Sequence, residues 1–236
     1  MPIQTRPLMC THQGTNLESI LAFDGTAKRP GVLICHTWAG RSEFEIGIAK
    51  KMVEWGYNAV AVDVFGRGHL PETVEQRQAA IQPFLKDRAM LQSRLQLAAD
   101  TLKAQAESNG KIAVMGFCFG GLCALDLART GYDLKGAVSF HGLFNAPGNT
   151  QGKKIKAKVI ALHGWDDPMV KPDDVLALTK ELKEAEADWQ LHAFGNTVHG
   201  FMNPGPGNPA LGIKHSDSAE RRSWVIVKDF LAEVFA

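Results

Sequence analysis

The chain has 236 residues, 45% of them hydrophobic and 22% charged, with a formal net charge of +1. That length and balance suit a single α/β domain spanning residues 1–236 with a substantial core, and no Pro/Gly/Ser-rich linker divides it. A charge so near zero offers no footprint for nucleic acid or an anionic membrane, and no apolar run approaches a membrane span. The N-terminal segment lacks the apolar core of a secretory signal. Cys10, Cys35, Cys118 and Cys123 form no C-x-x-C pair, so a disulfide framework is not expected and reduced thiols fit a cytoplasmic protein. No exposed apolar helix face stands out, and a monomer is the expectation.

Taken in order, residues 17–23 read as an early strand closed by the turn signal Asp24-Gly25. The run 32–35 is apolar throughout, as in a strand buried on both faces, and the loop 36–42 follows it. Ser42-Glu43-x-Glu45 opens a helix to about Trp55, with Gly56 as its C-terminal cap. The next buried strand is 58–64, followed by the loop Phe65-Gly66-Arg67-Gly68. From 72 to about 106 the pattern is helical, with a break expected at Pro83. Further strands are expected at 138–140, 159–163 and 189–194, and helices at 172–186 and 218–235. Strands alternating with helices imply a mostly parallel sheet with helices on both faces and functional groups on loops beyond the carboxyl ends of the strands.

The stretch 111–122, K-I-A-V-M-G-F-C-F-G-G-L, carries the strongest signal. A short β-leaning run turns straight into a helix, and Gly116 and Gly120 flank the turn where Cβ atoms would clash. Cys118 at the apex lies below a helix N-terminus, whose partial positive charge favours thiolate. This is the pattern of a nucleophile elbow carrying sulfur.

Two later loops supply partners. Gly164-Trp165-Asp166-Asp167-Pro168 follows one strand, and Gly195-Asn196-Thr197-Val198-His199 follows the next. Nucleophile, acid, base is the chain order of the α/β-hydrolase fold. His199 would take and return the proton, and a carboxylate would hold its tautomer. Asp166 and Asp167 compete for the acid role, with the spacing to Val170 favouring Asp167. The backbone N–H groups of Phe119 and Trp38 are the candidate oxyanion hole.

Four segments together, G-F-C-F-G-G at the elbow, V-D-V-F-G-R at 62–67, H-G-W-D-D-P at 163–168 and V-H-G-F at 198–201, make nearly the whole chain resemble the dienelactone hydrolase family. The resemblance implies a single α/β-hydrolase domain with a Cys118–His199–Asp167 triad and an acyl-enzyme intermediate. The substrate would be an enol-lactone or related small ester, with no metal or organic cofactor. It also implies a carboxylate clamp of two arginines, one at Arg67 and the other at the position occupied by Asn203. A glutamate that the family places beside the thiol is replaced by Thr37, with Glu43 or Glu45 as candidates to substitute for it in space.

His36, after a buried strand at the same sheet edge, is a candidate for the pocket wall or a hydrogen-bonded structural histidine. Trp38, Phe65, Phe117, Phe119, Trp165 and Phe201 lie on the elbow or active-edge loops, and such a cluster fits an apolar pocket. The Pro/Gly-rich excursion 203–212 reads as a surface loop or as a rim over the site. His141, His163 and His192 are read as structural, and the eight histidines show no metal-ligand spacing. Alternatives on the same residues are a thioesterase, a broad carboxylesterase, or a redox-responsive protein using Cys118 without hydrolysis.

Overall fold

A computed structural model describes residues 2–25 and 27–236. One eight-stranded sheet runs through it: β1 (Gln4–His12), β2 (Thr15–Phe23), β3 (Arg29–Cys35), β4 (Asn58–Val62), β5 (Ser108–Phe117), β6 (Gly136–Phe140), β7 (Lys158–Gly164) and β8 (Trp189–Phe194). Their spatial order is β1-β2-β4-β3-β5-β6-β7-β8. β1, β2 and β4 pair antiparallel, whereas every pairing from β4 through β3 to β8 is parallel. Fully apolar runs such as Val60-Ala61-Val62 and Val32-Leu33-Ile34-Cys35 are buried on both faces, as central parallel strands require.

Six α-helices cover the two faces: α1 (Glu43–Glu54), α2 (Val74–Lys86), α3 (Arg88–Lys103), α4 (Phe119–Arg129), α5 (Pro172–Glu184) and α6 (Asp217–Phe235). Apolar residues of α3, α4 and α5 form the core on one face, and those of α1 and α6 form the core on the other. Ser42 starts α1 with a complete capping box, accepting from the Phe44 N–H while the Glu45 carboxylate accepts from the Ser42 N–H.

The helical region breaks four residues later than the sequence pattern predicts. Pro83 lies inside the last turn of α2, and the chain bends instead at Asp87, with φ −118° and ψ 82°. A proline near a helix end forfeits one backbone bond without ending the helix, while Asp87 caps α3 by accepting from the Met90 N–H at 2.8 Å. The strand β1 has no counterpart in the sequence reading.

A buried ion cluster ties α3, α4 and α5 to the loop after β6. Asp126 on α4 is fully buried and accepts from Arg88 Nε at 2.6 Å and Arg129 Nη1 at 3.2 Å. Arg129 also donates to the Phe144 carbonyl at 2.8 Å and to Glu181 at 2.7 Å, and Arg88 donates to the Asn145 carbonyl at 3.2 Å. Removing the central carboxylate charge leaves two guanidinium groups in low dielectric with too little compensation. Asp126→Asn should therefore lower stability by about 3–5 kcal/mol in urea unfolding, and a loss below ~1 kcal/mol would show the cluster to be energetically neutral.

Candidate active site

β5 hands directly to α4 at Cys118, which has φ 58° and ψ −117°. A non-glycine residue at that positive φ is strained, and its surroundings hold it there. A Cβ on Gly116 would lie 2.1 Å from the Gly120 carbonyl oxygen, and one on Gly120 would lie 2.1 Å from the Cys35 carbonyl oxygen. Only glycine permits that approach of strand, turn and neighbouring strand. The Cys118 N–H is shared between the Phe140 carbonyl at 3.0 Å and His141 Nδ1 at 3.1 Å, which fixes the turn from the other side.

The loops after β7 and β8 bring the acid and the base to this point. His199 Nδ1 lies 2.7 Å from Asp167 Oδ2, and Asp167 Oδ1 accepts from the Met169 N–H at 2.8 Å. Both side chains are buried. Asp166 is exposed and reaches the site only through its backbone N–H, which donates to the Thr197 carbonyl. Geometry therefore pairs His199 with Asp167. The far nitrogen, His199 Nε2, is buried and makes no well-aligned hydrogen bond, but it lies close enough to Cys118 for the two groups to couple.

The electrostatics follow from that coupling. Burial by itself would raise the Cys118 pKa, but the adjacent His199 charge and then the nearby Phe119 and Trp38 N–H groups bring it below the ordinary thiol value. Burial by itself would lower that of His199, but the Cys118 thiolate and then the Asp167 hydrogen bond raise it to about 10. Each group stabilises the charged form of the other, so the pair favours thiolate and imidazolium. The two N–H groups anticipated as an oxyanion hole, Trp38 and Phe119, are near enough to the sulfur to help lower its pKa.

A cavity of about 200 Å³ opens above the sulfur. Trp38 and Phe119 form its floor with Cys118, α2 contributes Gln78 and Ile81, and Leu143 comes from the loop after β6. Met169, Leu211 and Ile213 close the remaining side. The excursion 203–212 is thus a rim at its far end, with Pro209–Leu211 forming a 3-10 turn.

Several residues singled out by sequence lie elsewhere. Arg67 is 65% exposed and pairs with Glu18 at 3.0 Å, outside the cavity wall. His36 is fully buried and fixed at both nitrogens: Nε2 accepts from the Val64 N–H at 3.2 Å and Nδ1 donates to the Thr37 carbonyl at 2.6 Å. Burial holds its pKa below the usual value, as befits a neutral structural histidine. Phe201 is fully buried and packs edge-on to His141 and Phe194. Thr37 and Asn203 line a separate hollow of about 250 Å³ together with Glu45. Glu45 approaches the Thr37 N–H at 3.5 Å but is bonded mainly to Ser42.

His141, read from sequence as structural only, contacts the elbow. Its ring stands 5.0 Å from that of His199, and its Nδ1 accepts from Cys118. Burial and then the His199 charge push its pKa well below normal, which keeps it neutral and able to accept. Nothing in its sequence neighbourhood signals this contact, because it depends on the register of β6 beside β5. Among the described residues no cluster of His, Cys, Asp or Glu has the makings of a metal site, and no helix is long and apolar enough to cross a membrane.

With fold and site in view, the comparisons with known proteins are consistent. Residues 17–235 match the model of the dienelactone hydrolase family. A crystal structure of a dienelactone hydrolase-like promiscuous phosphotriesterase from metagenomic libraries aligns with a TM-score of 0.93 over 99% of both chains, at 32% identity. The carboxymethylenebutenolidase of Pseudomonas putida is 25% identical over 81% of this chain and 83% of its own. An uncharacterized protein of Caenorhabditis elegans is 32% identical over 62% of this chain and 95% of its own. The chain belongs to the dienelactone hydrolase family, and it is a carboxylic ester hydrolase built on an α/β-hydrolase fold.

The direction of the Cys118 shift sets a pH dependence. Thiolate persists below the ordinary thiol range and is lost only as pH falls through the lowered pKa. Iodoacetamide labelling of Cys118, followed by peptide mapping, should therefore stay rapid to lower pH than labelling of an ordinary thiol. Asp167→Asn removes charge that keeps His199 protonated, so it should move the labelling profile to higher pH by roughly one unit. Superimposable profiles would show that Asp167 does not govern the thiol's charge.

Proposed function

We propose that this protein hydrolyses a lactone or small carboxylic ester through Cys118, His199 and Asp167 by way of an acyl-enzyme. The observation that carries this reading is a strained, N–H-bonded cysteine coupled to a histidine whose other nitrogen lies 2.7 Å from a buried aspartate. The Cys118 thiolate attacks the carbonyl carbon. The carbonyl oxygen, becoming an oxyanion, takes the N–H groups of Trp38 and Phe119 in place of the sulfur. Collapse breaks the ester C–O bond, and the His199 imidazolium gives its Nε2 proton to the departing alkoxide. For a lactone that alkoxide stays attached to the acyl group.

His199, now neutral, takes a proton from water, and the hydroxide so generated attacks the thioester. The second tetrahedral intermediate expels Cys118 as thiolate and releases the carboxylic acid, restoring the ion pair. Asp167 stays ionised throughout, orienting the imidazole and stabilising its charge. An oriented acid–base pair of this kind serves acyl transfer, whereas reversible oxidation of Cys118 requires none.

Hydrolysis of cis- and trans-dienelactone, p-nitrophenyl acetate and an acyl-CoA by wild type and Cys118→Ala tests the reading. The ester or lactone members should be turned over by wild type, with kcat reduced by on the order of 10⁴-fold or more in Cys118→Ala. Equal rates in the two proteins would remove Cys118 from the reaction. A clear preference for the acyl-CoA would place the protein among thioesterases instead.

A further inference from the structure

Apart from Cys118, the cavity above the sulfur is lined by no charged side chain among the described residues, and Gln78 and the indole N–H of Trp38 are its other polar side-chain groups. No lysine or arginine among the described residues lines its wall. Arg67 and Arg41 both pair with Glu18, at 3.0 Å and 3.4 Å, and Arg77 Nε donates to the Pro71 carbonyl at 3.2 Å. The loop carrying Arg67 packs Phe65 against Phe119 and is fastened at its backbone, with Arg67 itself outside the cavity wall. Its Arg67 N–H donates to the Asn16 carbonyl at 2.9 Å, and the Gly66 N–H donates to Asp63 at 2.8 Å. The Lys214 N–H reaches the His199 carbonyl, but Lys214 is exposed and its side chain forms no part of the wall.

A carboxylate entering this space would lose hydration and gain no cation from the wall, to which the buried His199 does not contribute. An apolar chain would instead cover Ile81, Leu143, Leu211 and Ile213, all part-exposed, and extend toward the exposed Met169. About 200 Å³ holds on the order of six or seven non-hydrogen atoms at roughly 30 Å³ each. We propose that the site selects uncharged esters with a short apolar acyl group, and that it discriminates against substrates bearing a carboxylate. This inference rests on Cys118 acting as the acyl-transfer nucleophile.

The test compares p-nitrophenyl butyrate with mono-p-nitrophenyl succinate, which share a leaving group and differ by a carboxylate in place of the terminal methyl. Wild type should show kcat/KM on the order of 100-fold higher for the butyrate. Gln78 lies on the exposed side of α2 at the cavity wall, so Gln78→Arg introduces a cation there at little structural cost. That variant should narrow the ratio at least ~10-fold. In a series of straight-chain esters, kcat/KM should peak near about four to six acyl carbons.

Succinate turnover within about threefold of butyrate, or faster, would overturn the charge selection while leaving the nucleophile in place. A steady rise in kcat/KM through long acyl chains would overturn the size limit. Absence of both turnover and a p-nitrophenol burst with every ester, while Cys118 still alkylates, would overturn the hydrolase reading and this inference with it.

Discussion

The approach of the Gly120 backbone to the Cys35 carbonyl is the constraint on which the site depends. With no Cβ at 116 or 120, the ends of β3 and β5 close on the start of α4, and Cys118 is forced to a positive φ. Holding a non-glycine residue there costs on the order of 1–3 kcal/mol, offset by the parallel β3–β5 pairing and by α4, every residue of which is buried. The same closure carries the loop after β3 beside Cys118, so the Trp38 and Phe119 N–H groups both favour its thiolate. One backbone contact thereby sets the conformation of Cys118 and the placement of the N–H groups around it.

Charge is confined as tightly as geometry. Three buried histidines lie around the elbow, yet only His199 has its pKa raised. His36 uses both ring nitrogens on backbone groups, and His141 spends Nδ1 accepting the Cys118 N–H. Protonating either would break a hydrogen bond, and for both burial is the largest influence against the charged form. Positive charge therefore collects on the imidazole between Asp167 and Cys118, where it has anions on both sides.

Much of this was legible in the sequence because it follows from local chemistry. Glycines at 116 and 120 require a tight turn, Ser42 and Glu45 spell a capping box, and apolar runs mark strands buried on both faces. β8 occupies 189–194 as its pattern predicts. Strand β1 escaped because it is an edge strand in which only Leu8 is buried and Pro7 interrupts the pattern. Pro83 misled because a helix breaker in a last turn is tolerated. For the site, chain order located the loops but not the directions of their side chains. Arg67 and His36 lie on active-edge loops, yet one turns out to Glu18 and the other in to Val64. Ile81, Leu143 and Ile213 carry no motif, since lining a wall requires only an apolar surface placed there by the tertiary fold.

The complete burial of α4 has a consequence for how this enzyme can change. The helix bears Phe119 at the cavity floor, Cys123 against the core and Asp126 in the ion cluster, so almost any replacement along it disturbs packing and folding together. The cavity's outer walls come from surface elements, α2 and the 203–213 excursion, whose residues are mostly exposed or half-exposed. Chemistry and selectivity are thus lodged in parts of the chain with very different tolerance for mutation. If Cys118 is the nucleophile proposed above, substitutions in the outer walls change substrate preference while leaving the elbow and α4 untouched, which makes the scaffold easy to diversify and hard to rebuild at the elbow.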